Sequence, residues 1–158
     1  MEMTGTRTIA APREAVWAAL NDPEVLRACI PGCEELTGSA EDGFEATVKQ
    51  KVGPVKATFK GAVTVSDANP PESYRIAGEG KGGVAGFAKG GADVALREVP
   101  EGTELSYAVD AKVGGKIAQL GSRLVDSFAA KMADQFFERF EARVEGDLAE
   151  TGGQDPVT

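Results

Sequence analysis

The sequence predicts an α+β domain in which a curved antiparallel sheet wraps one long C-terminal helix. Between residues 44 and 113 apolar and polar side chains alternate, and turns containing Gly or Pro interrupt the pattern, as in antiparallel strands with one buried face. From Ile117 to Val144 apolar residues recur every three or four positions, which is helical spacing. A chain of 158 residues, 42% hydrophobic, is one domain with a sizeable core.

The N-terminal elements are a first strand over residues 4–10 and two short helices. Pro12 is tolerated in the first turn of a helix, and that helix ends at Leu20. Asn21-Asp22-Pro23 supplies the cap of the second helix, which ends before Pro31-Gly32. The predicted order is therefore strand, helix, helix and then the main sheet.

The main sheet follows from the alternation after residue 34. In VKATFKGAVTVSD, Val55, Phe59 and Val63 share one face, and Lys56 and Lys60 lie on the other. Similar patterns and hairpin-length connections give six or seven antiparallel strands in total. A strongly bent sheet needs residues without side chains where it folds over, and glycines lie in or beside the strands at Gly61, Gly78, Gly80, Gly86 and Gly90.

The last part of the domain is one continuous helix of about 30 residues, roughly 45 Å long. Gly121 lies inside it and costs about 1 kcal/mol relative to Ala, which predicts a close approach or a ligand passage at that point. The domain covers residues 1–146, and residues 147–158 form a polar tail.

Composition excludes several function classes. The net charge is -8, and the 17 basic residues are scattered among 25 acids, so nucleic acid is not an expected partner. The chain has no histidine and two cysteines, Cys29 and Cys33, so Ser-His and Cys-His catalytic pairs and a zinc site are not expected. A reduced structural pair is the favoured interpretation of the cysteines, with a redox pair as the alternative.

The stretch from Gly78 to Gly83 matches the dinucleotide fingerprint G-x-G-x-x-G. A nucleotide site also needs a helix that begins at the third glycine, whereas more glycines and a strand pattern follow here. Nucleotide binding is therefore not predicted. There is no signal peptide and no run of 18 apolar residues, so the expected location is cytoplasmic.

A sheet that wraps a helix leaves space between them for a hydrophobic molecule. A filled core has the same composition and is the alternative. The predicted lining residues are apolar or aromatic: Phe59, Val63, Ile76, Phe87, Tyr107, Leu120, Leu124, Phe128 and Met132.

Four blocks of the sequence carry a family resemblance: APREAVWAALNDPEVLRACIPGCEEL, GPVKATFKGAVTVSD, GEGKGGVAGFAKGGADVAL and VGGKIAQLGSRLVDSFAAKMADQFFERF. Over about residues 1–145 the chain resembles the family of the carbon monoxide dehydrogenase G subunit. The resemblance implies the helix-grip fold of the START-like, polyketide-cyclase-like superfamily, and it favours a cavity over a filled core.

The resemblance also implies a function. Family members accompany molybdenum-containing CO dehydrogenases and bring them to the membrane, and the pocket suits an isoprenoid quinone, menaquinone or ubiquinone, or another lipid. Many members continue into an apolar membrane-attaching segment, whereas this sequence ends in TGGQDPVT. We therefore expect either weak, peripheral contact of the domain with the inner face of the cell membrane or soluble carriage alone.

The leading hypothesis is a non-catalytic protein that holds a quinone and docks with a redox enzyme. The polar head group could meet one of four residues: Arg27, Arg75, Tyr107 or Gln119. An alternative is an assembly factor without a ligand. In either case the segment 82–91 is a gate or a docking loop, through Gly83, Gly86, Phe87 and Gly90.

A cyclase or hydrolase is the third hypothesis, and it needs an acid or a base inside the cavity. The candidates are Asp110, Glu79 and Glu98, and the alternation places Asp110 on the face opposite to Tyr107. No catalytic residue is therefore assigned.

Overall fold

The computed structural model describes residues 1–154, with side chains up to residue 149. Seven strands, two short helices and a long C-terminal helix form an α+β helix-grip fold, as predicted. In chain order the elements are β1 (Glu2–Ile9), α1 (Arg13–Leu20), α2 (Pro23–Cys29), β2 (Cys33–Ser39), β3 (Gly43–Val52), β4 (Val55–Asn69), β5 (Ser73–Lys81), a 3-10 turn (Gly83–Ala85), β6 (Phe87–Val99), β7 (Gly102–Gly114), α3 (Lys116–Gln119) and α4 (Ser122–Gln154).

The strands form one antiparallel sheet in the order β1-β7-β6-β5-β4-β3-β2. Strands β2 to β7 follow one another through hairpins, and β1 pairs with β7 at the far edge. The inner face carries the residues of alternating positions such as Val63, Ile76 and Tyr107, because side chains in a strand point to opposite faces in turn. This face curves around α4.

The two short helices begin as their sequences predict. Pro12 precedes α1 in an extended conformation, and the carboxylate of Asp22 accepts a hydrogen bond from the Glu24 N–H at 2.9 Å. That bond satisfies one of the free N–H groups at the start of α2. Both helices lie between β1 and β2 in the sequence and close one end of the sheet's inner face.

The long helix differs from the prediction at its beginning. It is not continuous, because Gly121 has φ +98° and separates α3 from α4. No atom lies within 4 Å of a Cβ built on Gly121, so the predicted close approach is wrong. Glycine is needed there because side chains disfavour that backbone conformation.

At its other end α4 continues to Gln154, about 50 Å from its beginning. The predicted polar tail, residues 147–158, therefore starts inside the helix, and residues 155–158 lie outside the described part of the chain. None of the described helices combines the length and the apolar run that a membrane span requires.

The core lies at one end of the molecule. Ile9, Val16, Leu105 and Phe140 are almost inaccessible to solvent and pack between α1, the later part of α4 and the sheet. By contrast, none of the α4 residues from 122 to 136 is fully buried. One half of α4 is thus packed against the core, and the other half covers open space.

Candidate apolar ligand cavity

A cavity lies between the inner face of the sheet and α4. Its inner part has a volume of about 590 Å³, and an outer part of about 510 Å³ lies toward the beginning of α4. Ile30, Phe59 and Phe136 border both parts, so the two are neighbours. These volumes are in the range of small-molecule sites, and the inner face is not a filled core.

The walls of the inner part come from α2, the sheet and the middle of α4. Leu26 and Ile30 close one side, Val63 and Ile76 form the floor, and Phe137 belongs to the helix. The outer part is bordered by Val52, Val113, Ile117, Val125 and similar apolar residues. A site of this composition favours a hydrophobic molecule.

Glycines on the inner face leave part of this volume free. Gly78 and Gly80 of β5 border the cavity, and no atom lies within 4 Å of a Cβ built on Gly80. In the sequence both belong to the stretch that matches a nucleotide fingerprint. A 3-10 turn and β6 follow that stretch, so the helix N-terminus that a dinucleotide site requires is not there.

Six of the nine predicted lining residues border the cavity. The structure brings together, on the inner and outer walls, Phe59, Val63, Ile76, Tyr107, Phe128 and Met132. Phe136 and Phe137 also line the cavity and were not among the predicted residues, although Phe136 belongs to the apolar stripe of the predicted helix. Ligand binding by these residues stays a prediction.

Phe87 does not line the cavity. It lies on the outer face of the sheet, its ring covers Gly114, and 44% of the residue is exposed. Its neighbour Ala88 is the one that borders the cavity, because adjacent strand residues point to opposite faces. The prediction placed Phe87 in an irregular loop, where this alternation does not apply.

Leu120 and Leu124 also lie outside the cavity walls. A Cβ on Gly53 would be 2.8 Å from Leu124 Cδ2 and 3.7 Å from Leu120 Cδ1, so both leucines cover the turn between β3 and β4. The break at Gly121 removes Leu120 from the stripe of α4, and the beginning of α4 lies over that turn.

The predicted loop at residues 82–91 is shorter in the structure. The Gly82 N–H donates to the Gly86 carbonyl at 2.8 Å, which closes a compact turn, and Gly86 has φ +118°. Phe87 and Gly90 belong to β6. A Cβ on Gly90 would lie 2.1 Å from the Asp110 carbonyl oxygen, so Gly90 permits close strand packing and is not part of a loop.

A polar cluster lies where β1 meets α4. The ring of Tyr107 stacks on Phe137 with centroids 5.3 Å apart, and its hydroxyl covers Gly5, where a Cβ would clash. The Arg7 guanidinium lies over the ring of Phe137, 5.3 Å from its centroid, and forms an ion pair with Asp134. Tyr107 is thus a wall of the cavity with a polar group at its edge.

The guanidinium of Arg7 stays charged in this cluster. Burial opposes the charge of Arg7, but the hydrogen bonds and charges of Asp134 and Tyr107 outweigh it and raise the pKa of Arg7. The sequence analysis did not identify Arg7 or Asp134. Arg7 occupies an inward position of β1, between Gly5 and Ile9. Because charged residues rarely face inward, this position in the alternation could have identified Arg7 as a candidate site residue.

The other predicted head-group residues lie elsewhere. Arg27 donates to the Glu34 carbonyl at 3.2 Å, Arg75 pairs with Asp93 at 2.9 Å on the outer face, and Gln119 is exposed on α3. Only Tyr107 of the four borders the cavity.

The cavity interior offers no carboxylate for acid or base catalysis among the described residues. Asp110 pairs in register with Gly91 on the outer face. The Glu79 backbone borders the cavity, but its carboxylate lies 3.2 Å from Lys81 on the outer face. Glu98 is exposed and lies 3.8 Å from Arg13. Tyr74 also borders the inner part, and burial raises the pKa of its phenol, which therefore stays neutral.

Thiol and metal chemistry are not supported by the geometry either. Cys29 and Cys33 are free, and burial raises the pKa of both thiols, although nearby arginines partly oppose this. Both are therefore protonated at neutral pH, and thiolate is the reactive form. Within the described residues no group of three His, Cys, Asp or Glu is placed to hold a metal ion.

Comparison with known families identifies the family to which this chain belongs. The model of the family described as the G subunit of carbon monoxide dehydrogenase (CoxG) matches residues 5–145. The chain belongs to this CoxG family. The match includes β2 to β7, most of β1, nearly all of the cavity lining and the part of α4 that covers it. Comparison with curated proteins gave no match.

Solved structures share the fold of this CoxG family member. A conserved protein from Geobacillus kaustophilus is 29% identical, with a TM-score of 0.86 over 92% of this chain and 96% of that one. A protein from Rhizobium leguminosarum is 18% identical, with a TM-score of 0.70 over 92% and 94% of the two chains. One from Thermus thermophilus is 19% identical, with a TM-score of 0.69 over 93% and 99%. The last two show the fold alone.

Proposed function

We propose that this CoxG family member is a non-catalytic carrier of a respiratory isoprenoid quinone, menaquinone or ubiquinone. It would serve a molybdenum-containing CO dehydrogenase as an accessory protein and make peripheral contact with the inner face of the cell membrane. The observation that carries the proposal is the apolar space between the sheet and α4, whose two neighbouring parts have volumes of about 590 and 510 Å³.

The apolar lining of this space suits a molecule with a long apolar tail. Each CH₂ group transferred from water into such a site contributes about 0.8 kcal/mol, so an isoprenoid chain needs no charged contact for tight binding. A ligand that also leaves a bilayer must find an equally apolar environment in the protein. The walls, from Leu26 and Val63 to Phe128 and Met132, supply it.

Tyr107 is the group that we assign to the quinone ring. It borders the inner part of the cavity, and its stacking on Phe137 holds the phenol in one orientation. A phenol can donate a hydrogen bond to a quinone carbonyl, and the neighbouring Arg7 can polarise that donor. The quinone ring would then lie in the inner part of the cavity, at the side next to β1, and the tail would extend toward Val125 and Phe128.

A docking factor without a ligand is the second candidate. Val84 and Phe87 are 85% and 44% exposed, which favours contact of the turn between β5 and β6 with a partner protein. Catalysis is disfavoured because the described carboxylates that we considered all point away from the cavity.

Mass spectrometry of an organic extract tests the carrier function. The full chain is purified without detergent from a host that makes quinone, and the extract is compared with that of a Tyr107→Phe variant. We expect stoichiometric quinone in the wild type and a reduced amount in the variant, because only the hydroxyl is removed. An empty wild-type extract, still empty after incubation with quinone, would contradict the proposal and favour the docking factor.

A further inference from the structure

The fold gathers about half of the basic residues at one end of the molecule. Nine of the 17 come from segments 46–66, 80–92 and 111–125, which contain no acidic residue. The interpretation that they are scattered is therefore wrong, because β-sheet pairing brings distant segments together. Eight of these nine are lysines, whereas seven of the eight basic residues elsewhere are arginines.

The strand register places seven of these lysines on the outer face of the sheet. Lys60, Lys81 and Phe87 lie opposite one another on β4, β5 and β6, and Lys89 pairs with Lys112 in the next row. We call this surface the basic face; its lysines are Lys49, Lys51, Lys56, Lys60, Lys81, Lys89 and Lys112.

Most of this charge is not neutralised within the protein. Lys49 lies 3.3 Å from Glu34 and Lys81 lies 3.2 Å from Glu79. Between the described residues, the other five lysines of the basic face form no ion pair. A surface with a positive field therefore stands out on a protein whose net charge is -8.

Apolar side chains project beside the basic face. Val84 at the tip of the turn between β5 and β6 is 85% exposed, and Phe87 within the lysine rows is 44% exposed. The turn touches the beginning of α3, where a Cβ on Gly115 would lie 2.4 Å from Gly86 Cα. Ile117 and Val125 next to it border the outer part of the cavity. The basic face and the outer part of the cavity thus share one end of the molecule.

We propose that the basic face docks on a bilayer with anionic headgroups, with Val84 and Phe87 inserted at the interface. Lysine is a compact point charge on a flexible stem, suited to a diffuse anionic surface, whereas specific pairing with protein carboxylates favours arginine. Lysines that flank exposed apolar residues are typical of interfacial binding. The choice of lipid over an acidic protein rests on the proposed apolar ligand, which must come from a bilayer.

Sedimentation of the full chain with vesicles tests this surface. Phosphatidylcholine vesicles are compared, at low ionic strength, with vesicles that contain about a third phosphatidylglycerol. The variant Lys56→Gln/Lys60→Gln/Lys112→Gln removes three of the seven charges of the basic face. Its matched control, Arg97→Gln/Lys131→Gln/Arg139→Gln, removes the same charge elsewhere. A third variant, Phe87→Ser, removes the exposed ring alone.

We expect wild-type protein to bind the anionic vesicles only. A lysine close to such a surface contributes roughly a fivefold factor, so the basic-face variant should lower the partition coefficient by on the order of 100-fold. The control should retain wild-type binding within a few-fold. Salt should weaken binding of the wild type, and Phe87→Ser should remove most of the binding that persists at high salt.

Two results would overturn the inference: wild-type binding that does not depend on phosphatidylglycerol, and equal losses in the basic-face variant and its control. If vesicle binding were absent and the basic-face variant lost binding to the purified molybdenum enzyme, the face would belong to that protein. The quinone content of each variant is measured in parallel. Vesicle binding by a protein that holds no quinone would contradict the carrier function and leave the docking surface intact.

Discussion

Replacing Gly80 with Leu should fill the cavity and stabilise the empty protein. Gly80 faces the cavity, and no atom lies within 4 Å of a Cβ built there, so the side chain has room to enter. Burial of a leucine contributes about 1.5–3 kcal/mol, and loss of glycine flexibility in the unfolded chain adds about 0.5 kcal/mol. Because the new side chain is only partly enclosed, we expect a gain of about 2 kcal/mol in the free energy of unfolding.

The assay is thermal unfolding of delipidated protein, with and without a menaquinone that has a short isoprenoid tail. For a chain of this size the gain corresponds to roughly 4–8 °C in Tm. Quinone at about 100 times its Kd should stabilise the wild type by about 2.7 kcal/mol but should leave Gly80→Leu unchanged. The control Gly146→Leu lies on the exposed side of α4 with no atom near its Cβ, and it should keep the full response to quinone.

A lower Tm for Gly80→Leu would show that the cavity is already filled or that β5 cannot accept a side chain. An undiminished quinone response would show that the ligand does not occupy this space. Either result would refute the reasoning. The Gly146→Leu control shows whether a leucine added outside the cavity has the same effect on Tm and on the response to quinone.

Three further predictions concern the packed end and the cluster at β1. Phe140→Ala should lower the free energy of unfolding by about 3–5 kcal/mol, since Phe140 is inaccessible to solvent; urea unfolding measures this, and a loss below about 1 kcal/mol would contradict it. Asp134→Ala should lower the free energy of unfolding by less than about 1 kcal/mol, because Asp134 is 67% exposed and exposed ion pairs contribute little. A larger loss in urea unfolding would show that the ion pair with Arg7 stabilises the fold more than its exposure predicts. Burial, with the charges of Glu145 and Glu138 added and that of Arg7 opposing, raises the pKa of Glu141. Stability is therefore lost as pH rises through the window above the ordinary glutamate pKa. Glu141→Gln should raise Tm at neutral pH, and the difference should vanish in acid; a constant difference, or the same gain in Glu41→Gln on the turn between β2 and β3, would contradict this assignment.

The fold could be predicted because its signals are local. Alternation in β4 and the apolar spacing of α4 depend on neighbouring residues only, and the proline and Asp22 signals fixed both short helices. Gly121 was misinterpreted because the sequence does not reveal the sign of φ. A glycine in a helical pattern indicates a packing contact and a helix break equally well.

The cavity could be predicted in part. Residues such as Val63 and Ile76 lie within regular strands, where alternation determines the face. Phe87 follows a glycine-rich turn whose length decides its face, and one residue of difference reverses it. The basic face could not be seen from the sequence, because lysines far apart in the chain, such as Lys60 and Lys81 or Lys89 and Lys112, become neighbours only through strand pairing.

The unequal packing of α4 has a consequence for how a bulky molecule enters without unfolding the protein. Its later half is fixed by Phe140 and Val144, whereas its earlier half, up to Phe136, has no fully buried residue. Amide hydrogen exchange should therefore be fast in the first turns and slow after Phe137, since regions with few buried contacts open locally at low cost. Gly121 separates the first turns of α4 from α3, so we expect a bulky molecule to enter and leave by local opening of that helix end while the anchored half keeps the sheet folded.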